Sequence, residues 1–267
     1  MNLAVTGCGT INALGRDVPS FWNRLVRGEC GLRLAARGFV RAWGIPAGEV
    51  DDPLPGDDLS PFRTDRLALV AAEEAVRQSE ILTRHRPERI AVVLGTTTGG
   101  IREAEEYFAP RAARGRRGTL LRGYEKAHTA EVLARRFGLA GPRYTLHSAC
   151  ASGASAILLG GELLRSGRAD AVLAGGSDAL ARITLSGFRS LRLLDAEPCR
   201  PFDRARRGLS LGEGAGMLVL ERSAPAVLAE LLSAAQTTDA HHLTAPAESG
   251  DGAARAMRLA LERGGLA

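Results

Sequence analysis

Short apolar segments that end at glycines or directly before them alternate with segments of helical spacing along most of this chain. The apolar segments of this kind run from Leu3 to Gly7, from Arg89 to Gly95 and from Asp170 to Ala174. Apolar residues recur at intervals of three and four at Val18 to Arg27, Arg66 to Ser79, Thr129 to Phe137 and Ala154 to Arg165. Strands that alternate with amphipathic helices predict an α/β domain with a mainly parallel sheet.

Three further segments complete this architecture. Arg143 to Leu146 and Gly214 to Glu221 have the apolar or β-branched character of strands, and Gly252 to Glu262 fits a terminal helix. Four prolines fall between residues 44 and 62, so we predict a loop in that stretch.

Size and composition narrow the class of protein. The chain has 267 residues, of which 45% are hydrophobic, enough for one large domain or two small ones with a buried core. Its four cysteines form no Cys-x-x-Cys pair and its first residues resemble a strand rather than a signal segment, which favours a reduced, cytoplasmic protein. No apolar run approaches the roughly 20 residues of a membrane span, so membrane insertion is not expected.

The charge pattern favours acidic partners. The formal net charge is +5, and arginines are concentrated in two clusters. These are Arg111, Arg114, Arg116 and Arg117, and Arg200, Arg204, Arg206 and Arg207. Neither cluster is accompanied by stacking aromatics or a nucleic-acid-binding module, so no nucleic-acid partner is predicted. A solvated face is the alternative interpretation.

The strongest chemical signal is a cysteine at a predicted strand-to-helix corner, in the segment from Ser148 to Gly153. Unpaired backbone N–H groups and the positive dipole end at a helix start favour a thiolate, and small neighbours admit a substrate to the sulfur. We therefore predict that Cys150 is a nucleophile. The alternative is a small buried residue, since free cysteine is commonly buried. Cys8, Cys30 and Cys199 lack this setting and are predicted to be structural.

Two other patterns are weaker. Gly7-Cys8-Gly9 lacks the third glycine of a dinucleotide-binding turn. His241 and His242 are adjacent in a predicted loop without a carboxylate at ligand spacing, so we expect loop hydrogen bonds there and no metal site.

Five motifs, in order along residues 1 to 262, resemble those of β-ketoacyl-acyl-carrier-protein synthases, the elongating ketosynthases of the thiolase superfamily. They are Ser148 to Gly153, Asp170 to Asp178, Cys199 to Asp203, Gly208 to Glu221 and Asp239 to Pro246. The resemblance implies a thiolase-like fold whose first βαβαβαββ half is complete, at residues 1–225. Residues 226–267 would begin a second half that is largely missing.

The same resemblance implies roles for individual residues. Cys150 matches the cysteine that carries the acyl chain, which a carrier protein delivers on its phosphopantetheine, with no other cofactor. Thr98 and Phe188 would line the acyl pocket, and Thr244 would lie near the pantetheine entrance. The subunit interface would comprise Leu120 and the strand residues Arg143, Tyr144, Thr145 and Leu146.

One departure from the family pattern shapes the functional hypothesis. The family's His-Gly-Thr-Gly-Thr segment, the lysine that follows it and the Gly-His-Thr segment would come after Ala267, and none is present in these residues. Because those groups assist condensation, the chain alone is expected to be inactive.

We therefore predict a chain-length-factor-like subunit that forms a heterodimer with a full-length ketosynthase and receives acyl carrier protein. Chain-length factors commonly replace the cysteine, however, and Cys150 is retained. The alternatives are an active synthase whose histidine-bearing half is missing from this chain, and a carrier-binding scaffold that uses the arginine clusters.

Overall fold

The computed structural model describes residues 2–36, 38–51, 53–55, 59–108, 125, 127–242 and 245–266. Within these ranges, six strands form one sheet in the order β5-β4-β6-β8-β1-β9. The strands are β1 (Leu3–Ile11), β4 (Ile90–Gly95), β5 (Arg143–Leu146), β6 (Ala171–Asp178), β8 (Gly214–Glu221) and β9 (Ala229–Leu231).

A second, small sheet lies beside the first and has the order β2-β3-β7. Its strands are β2 (Arg33–Leu34), β3 (Pro46–Gly48) and β7 (Leu211–Gly212). The prediction of an unbroken loop from residue 44 to residue 62 is therefore wrong at Pro46–Gly48. Ala47 of β3 is fully buried and pairs in parallel with Leu211, a tertiary contact that overrides the local effect of the proline.

The predicted mainly parallel sheet requires a correction. β4 pairs in parallel with β5 and β6, but β8 runs antiparallel to both β6 and β1, and β9 runs antiparallel to β1. β1, β4, β5 and β6 all point the same way. β8 enters the sheet at the end where β6 leaves it, so the strand runs back between β6 and β1 instead of crossing over.

The predicted helices are present with small shifts at their ends. The helices are α1 (Val18–Val26), α2 (Gly38–Arg41), α3 (Arg63–Ser79), α4 (Ile81–Arg84), α5 (Ile101–Phe108), α6 (His128–Phe137), α7 (Ser152–Arg165), α8 (Arg182–Ser190) and α9 (Asp251–Arg263). Asp17 caps α1 by accepting a hydrogen bond from the Ser20 backbone N–H at 2.7 Å. Gly138 ends α6 in the left-handed conformation, which glycine adopts without strain. None of the helices in the described ranges is long and apolar enough to span a bilayer.

The main sheet is covered on both faces. α3 and α6 pack on one face, where buried side chains such as Leu67, Leu133 and Leu173 form the larger core. α7 packs on the other face against β4 and β6, over a core that includes Val93, Leu164 and Val172. Because β4, β5 and β6 are parallel, their C-terminal ends lie together at one end of this doubly covered sheet, where sites of α/β proteins commonly form.

Candidate active site

Cys150 lies at the corner between β5 and α7. After β5, residues 149–151 form a 3-10 turn that leads directly into α7 at Ser152. Ala149 has a φ of 50°, a left-handed conformation that is strained for a residue with a side chain, so the chain turns sharply just before the cysteine. Cys150 is exposed to solvent. The expected strand-to-helix corner is present, while the nucleophilic role of Cys150 stays a prediction.

Serine hydroxyls hold this corner in place. The Ser152 hydroxyl donates to the Ala149 carbonyl at 2.6 Å and accepts from the Ser148 backbone N–H at 3.0 Å. The Ser148 and Ser155 hydroxyls lie 2.9 Å apart, and the Ser155 hydroxyl donates to the Gln236 side chain at 2.8 Å. The strained turn is thus tied to the first two turns of α7 and to the segment after β9.

A row of glycines forms the surface on which α7 begins. Gly95 of β4 is opposite Gly176 of β6, Gly176 is opposite Gly216 of β8, and Gly216 is opposite Thr10 of β1. A Cβ atom added at Gly95 would lie 2.2 Å from the carbonyl carbon and oxygen of Ser152. The first turn of α7 can rest on the sheet backbone only because no side chain intervenes.

The open part of this row is the floor of a depression of about 410 Å³ beside Cys150. At Gly216, an added Cβ atom would meet nothing within 4 Å, so the floor is flat at that position. The other lining residues are Thr10, Ile11, Asn12, Gly95, Ala149, Ser152, Gly153, Gly176, Ser177, Asp178, Gly212, Gly214 and Ala215. No imidazole lines the depression within the described ranges. A thioester can approach the sulfur along such a surface without meeting a bulky side chain.

Asp178, at the end of β6, holds the loop that follows β4. Its carboxylate accepts hydrogen bonds from the hydroxyls of Thr96 and Thr98 at 2.8 and 2.7 Å. It also accepts from the backbone N–H groups of Thr97, at 2.9 Å, and Thr98, at 2.7 Å. The Thr96 carbonyl in turn accepts a hydrogen bond from His147 Nδ1 at 2.6 Å. The carboxylate therefore fixes a loop that contacts His147, just before the strand-to-helix corner at Cys150 (the elbow).

A buried ion pair supports the opposite wall of the depression. The Arg63 guanidinium donates to both carboxylate oxygens of Glu213, at 2.8 and 2.6 Å, and both side chains are 2% exposed. The Glu213 carboxylate also accepts from the backbone N–H groups of Val50 and Leu180, at 3.0 and 3.3 Å. Since Gly212 and Gly214 line the depression, this pair fixes the position of the wall.

Sequence reasoning missed both of these carboxylates as parts of the site. Asp178 and Glu213 fall within motifs that the resemblance singled out, but the loop that Asp178 holds lies 80 to 82 residues away along the chain, and the Arg63 side chain that pairs with Glu213 lies 150 residues away. The available signal was local. Each carboxylate lies within two residues of a glycine at a strand end, where the backbone needs support that glycine cannot supply.

Of the remaining predicted site residues, some lie in the described part of the chain and some do not. Thr98 is buried and uses its hydroxyl to hold Asp178, while Phe188 is half-buried on α8. Leu120 and Thr244 lie outside the described residues, as does the arginine cluster between residues 111 and 117. The pocket, entrance and interface roles of these residues stay predictions, and so does the division at residue 225.

The predicted interface strand, β5, lies at one edge of the main sheet. Val92 N donates to Pro142 O at 2.9 Å and Thr96 N donates to Leu146 O at 3.1 Å, so alternate β5 residues direct their backbone groups toward β4. The intervening residues, Arg143 and Thr145, therefore direct theirs toward the open edge. Within the described ranges, no strand pairs with that edge.

The other cysteines and the histidine pair have different surroundings. Burial, with a smaller contribution from Glu74, raises the pKa of the Cys8 thiol, which makes this sulfur a poor nucleophile. Cys30 is exposed, but it lies in no strand-to-helix turn. His242 Nδ1 accepts from the Ala245 backbone N–H at 3.1 Å. Across the ranges described, no cluster of His, Cys, Asp and Glu residues could hold a metal ion.

Known proteins have sequences similar to that of this chain. A family profile described as "Beta-ketoacyl synthase, N-terminal domain" matches residues 59–226. Nodulation protein E of Rhizobium meliloti is 34% identical over 281 aligned residues, which cover 99% of this chain and 69% of the relative. The mitochondrial 3-oxoacyl-[acyl-carrier-protein] synthase of Arabidopsis thaliana is 31% identical over 99% of this chain and 67% of its own length.

Solved structures of ketosynthases have a fold similar to that of this chain. A ketosynthase in complex with its chain length factor, from Xenorhabdus doucetiae, superposes with a TM-score of 0.87 at 32% identity and covers all of this chain and 69% of that chain. The ishigamide ketosynthase/chain length factor superposes with a TM-score of 0.90 at 32% identity, over all of this chain and 70% of that one.

Proposed function

Because this chain belongs to the β-ketoacyl synthase family, we propose that it is a non-autonomous, chain-length-factor-like subunit that accepts an acyl group on Cys150. It pairs with a full-length ketosynthase, and the pair elongates a fatty acid or polyketide chain on acyl carrier protein. The observation that carries the proposal is an exposed cysteine at a strained corner, next to a depression with a floor of glycine.

The acyl-transfer step follows from this geometry. The Cys150 sulfur attacks the carbonyl carbon of an acyl thioester and a new carbon–sulfur bond forms. The original carbon–sulfur bond then breaks, and the departing thiolate takes up the proton lost by the Cys150 thiol and leaves as a thiol. One thioester is exchanged for another, so the step requires no oxidant or metal. The proposal assigns carbon–carbon bond formation to the active site of the partner.

The open edge of β5 supports pairing with a second subunit. Arg143 and Thr145 direct their backbone groups toward this edge, where a strand from another chain can add to the sheet. Two of the similar solved structures are named as ketosynthases with chain length factors. We therefore assign β5 to the interface with the full-length ketosynthase.

The arginines after α8 support recognition of the carrier protein. All four of these arginines, Arg200, Arg204, Arg206 and Arg207, are exposed. Arg207 pairs with Glu197 at 2.8 Å, and Arg200 and Arg206 contact Asp203 at 3.2 and 3.1 Å. Together with the net charge of +5, this surface favours an acidic protein that brings a thioester toward Cys150.

Co-expression with a full-length ketosynthase from the same genome tests the pairing and the activity together. We expect a heterodimer by mass measurement, and a β-ketoacyl product from malonyl carrier protein only when both chains are present. Thr145→Pro removes an outward N–H group at a sheet edge and should abolish the heterodimer, whereas Thr145→Val keeps that group and should preserve the heterodimer. A stable monomer that ignores the ketosynthase would contradict the proposal, as would product formation by the chain alone.

An active synthase whose histidine-bearing half is missing from this chain remains the second candidate, because Cys150 is retained at the elbow. Cys150→Ala in the co-expressed pair tests the acyl transfer that both candidates assign to this chain, against a role as a scaffold. Product formation that depends on Cys150 supports acyl transfer through this chain. Unchanged product formation would leave this subunit as a scaffold and would contradict its acyl-accepting role.

A further inference from the structure

We propose that Asp178 is a positioning residue that sets the orientation of the Cys150 elbow through the loop after β4. The inference rests on the proposed acyl-accepting role of Cys150 and adds the residue on which that role depends. Asp178 lines the same depression as Cys150, and its hydrogen-bond partners lie in the loop after β4, not in the elbow itself.

The carboxylate suits this task because every group facing it in the loop is a donor. Two backbone N–H groups and two hydroxyls converge on it, from Thr96, Thr97 and Thr98. The Thr96 hydroxyl also accepts from the Gly99 backbone N–H at 2.9 Å, which closes the loop on itself. The four bonds to Asp178 all reach the same carboxylate oxygen, and the Thr97 N–H also reaches the other oxygen at 3.0 Å. An asparagine would turn its NH₂ group toward the Thr97 N–H and would remove the negative charge that strengthens all of these bonds.

The loop reaches the elbow by two separate contacts. The Thr96 carbonyl holds the His147 ring, three residues before Cys150. Gly95 supports the Ser152 and Gly153 backbone, two and three residues after Cys150, so closely that no Cβ atom would fit. The cysteine is therefore held from both sides by one segment, and that segment is held by Asp178.

The same strand provides a matched control. Asp170 directly precedes β6 and Asp178 ends it, and each carboxylate bonds to residues that flank β4. Asp170 accepts hydrogen bonds from Arg89, just before β4, at the end of the sheet remote from Cys150. Asp178→Asn and Asp170→Asn therefore remove the same charge from the same pair of strands, at opposite ends.

Hydrogen exchange measured residue by residue tests, without any substrate, whether the loss of the Asp178 carboxylate loosens the Cys150 elbow. In Asp178→Asn we expect the amides of Thr97 and Thr98 to lose protection, together with those of residues 150–154. In Asp170→Asn these amides should keep wild-type protection. If residues 96–99 lose protection while residues 150–154 do not, the positioning role is overturned. If Asp178→Asn fails to fold, Thr96→Val replaces it in this experiment. Thr96→Val removes one hydroxyl donor and keeps the carboxylate, so we expect a smaller loss of protection in the same two segments.

Two reagents then separate positioning from simple loss of structure. With hexanoyl N-acetylcysteamine, the acyl-transfer rate of Asp178→Asn should fall roughly 10-fold or more, because small misplacements of reacting groups have large effects on rate. Alkylation of Cys150 by iodoacetamide needs no defined approach and should stay within about 2-fold of wild type. An equal fall with both reagents, or a wild-type acyl-transfer rate, would overturn the inference. If the wild-type protein itself takes no acyl group, the proposed function fails, and the exchange experiment still decides the positioning role.

Discussion

The two ends of the β4–β6 strand pair are held by different chemistry. At the end remote from Cys150, Asp170 pairs with Arg89 and Arg222, and all three side chains are between 34% and 39% exposed. At the Cys150 end, Asp178 binds neutral hydroxyl and N–H donors, and the buried Arg63–Glu213 pair supports the neighbouring strand.

The two ends of the strand pair therefore differ in how firmly their contacts fix the backbone. Exposed ion pairs are screened by solvent and contribute little to stability, so the remote end can vary without consequence for the rest of the sheet. Buried networks in which every donor has an acceptor fix one arrangement and tolerate little change. The glycine row at the Cys150 end leaves no side chains to hold the backbone, and the carboxylates supply that support instead.

Glu213→Gln should have the largest effect on stability. The substitution leaves the buried Arg63 charge without a counter-charge, and breaking such a pair lowers the free energy of unfolding by about 3–5 kcal/mol. Asp170→Asn, at the exposed end, should lower it by about 1 kcal/mol or less. Urea denaturation of both variants checks the contrast, and equal losses would show that the two ends are not built differently.

Gly95→Ala should come next. The added methyl group would overlap the Ser152 carbonyl, so the start of α7 must shift, and we expect a loss of about 3 kcal/mol together with slow acylation of Cys150. The control is Gly167→Ala near Asp170, where a Cβ atom meets nothing within 4 Å and only the φ of 70° is unfavourable. That variant should lose about 1 kcal/mol and acylate normally. Normal acylation in Gly95→Ala would contradict the tight seat of α7.

The pH dependence of Asp170 gives the smallest effect. The hydrogen bond from Arg89, assisted by Arg222, lowers the pKa of Asp170 from 3.8 to about 2. Since the folded-state pKa lies below the unfolded-state value, the stabilisation is present above about pH 4 and is lost as the pH falls toward 2. Its size is a fraction of 1 kcal/mol after solvent screening. Thermal melts of wild type and Asp170→Asn should therefore differ at pH 6 and converge as the pH approaches 2, whereas a constant difference would contradict the ion pair.

The sequence predicts much of the local structure and less of its assembly. The bounds of β5 and β8 are correct, because each is a short apolar run between turn residues. The strand direction of β8 is not predictable from periodicity, since it depends on where the chain after β6 lies. β3 was missed because its burial against β7 involves residues more than 160 positions away.

The candidate site shows the same division. The corner at Cys150 is visible in the sequence because strand, small residues and helix are contiguous. The row of Gly95, Gly176 and Gly216 exists only through the register of three strands. Asp178 and Glu213 acquire their roles through partners distant in sequence, so composition and spacing could mark their neighbourhood but not their function.

Intact-mass measurement with peptide mapping, after incubation of the folded protein with hexanoyl N-acetylcysteamine, shows whether Cys150 accepts an acyl group. We expect one hexanoyl group on Cys150, and none on Cys30, which is also exposed but lies outside the elbow. A folded protein that carries no acyl group on Cys150, or that carries it equally on Cys30, would show that the elbow does not make Cys150 an acyl acceptor.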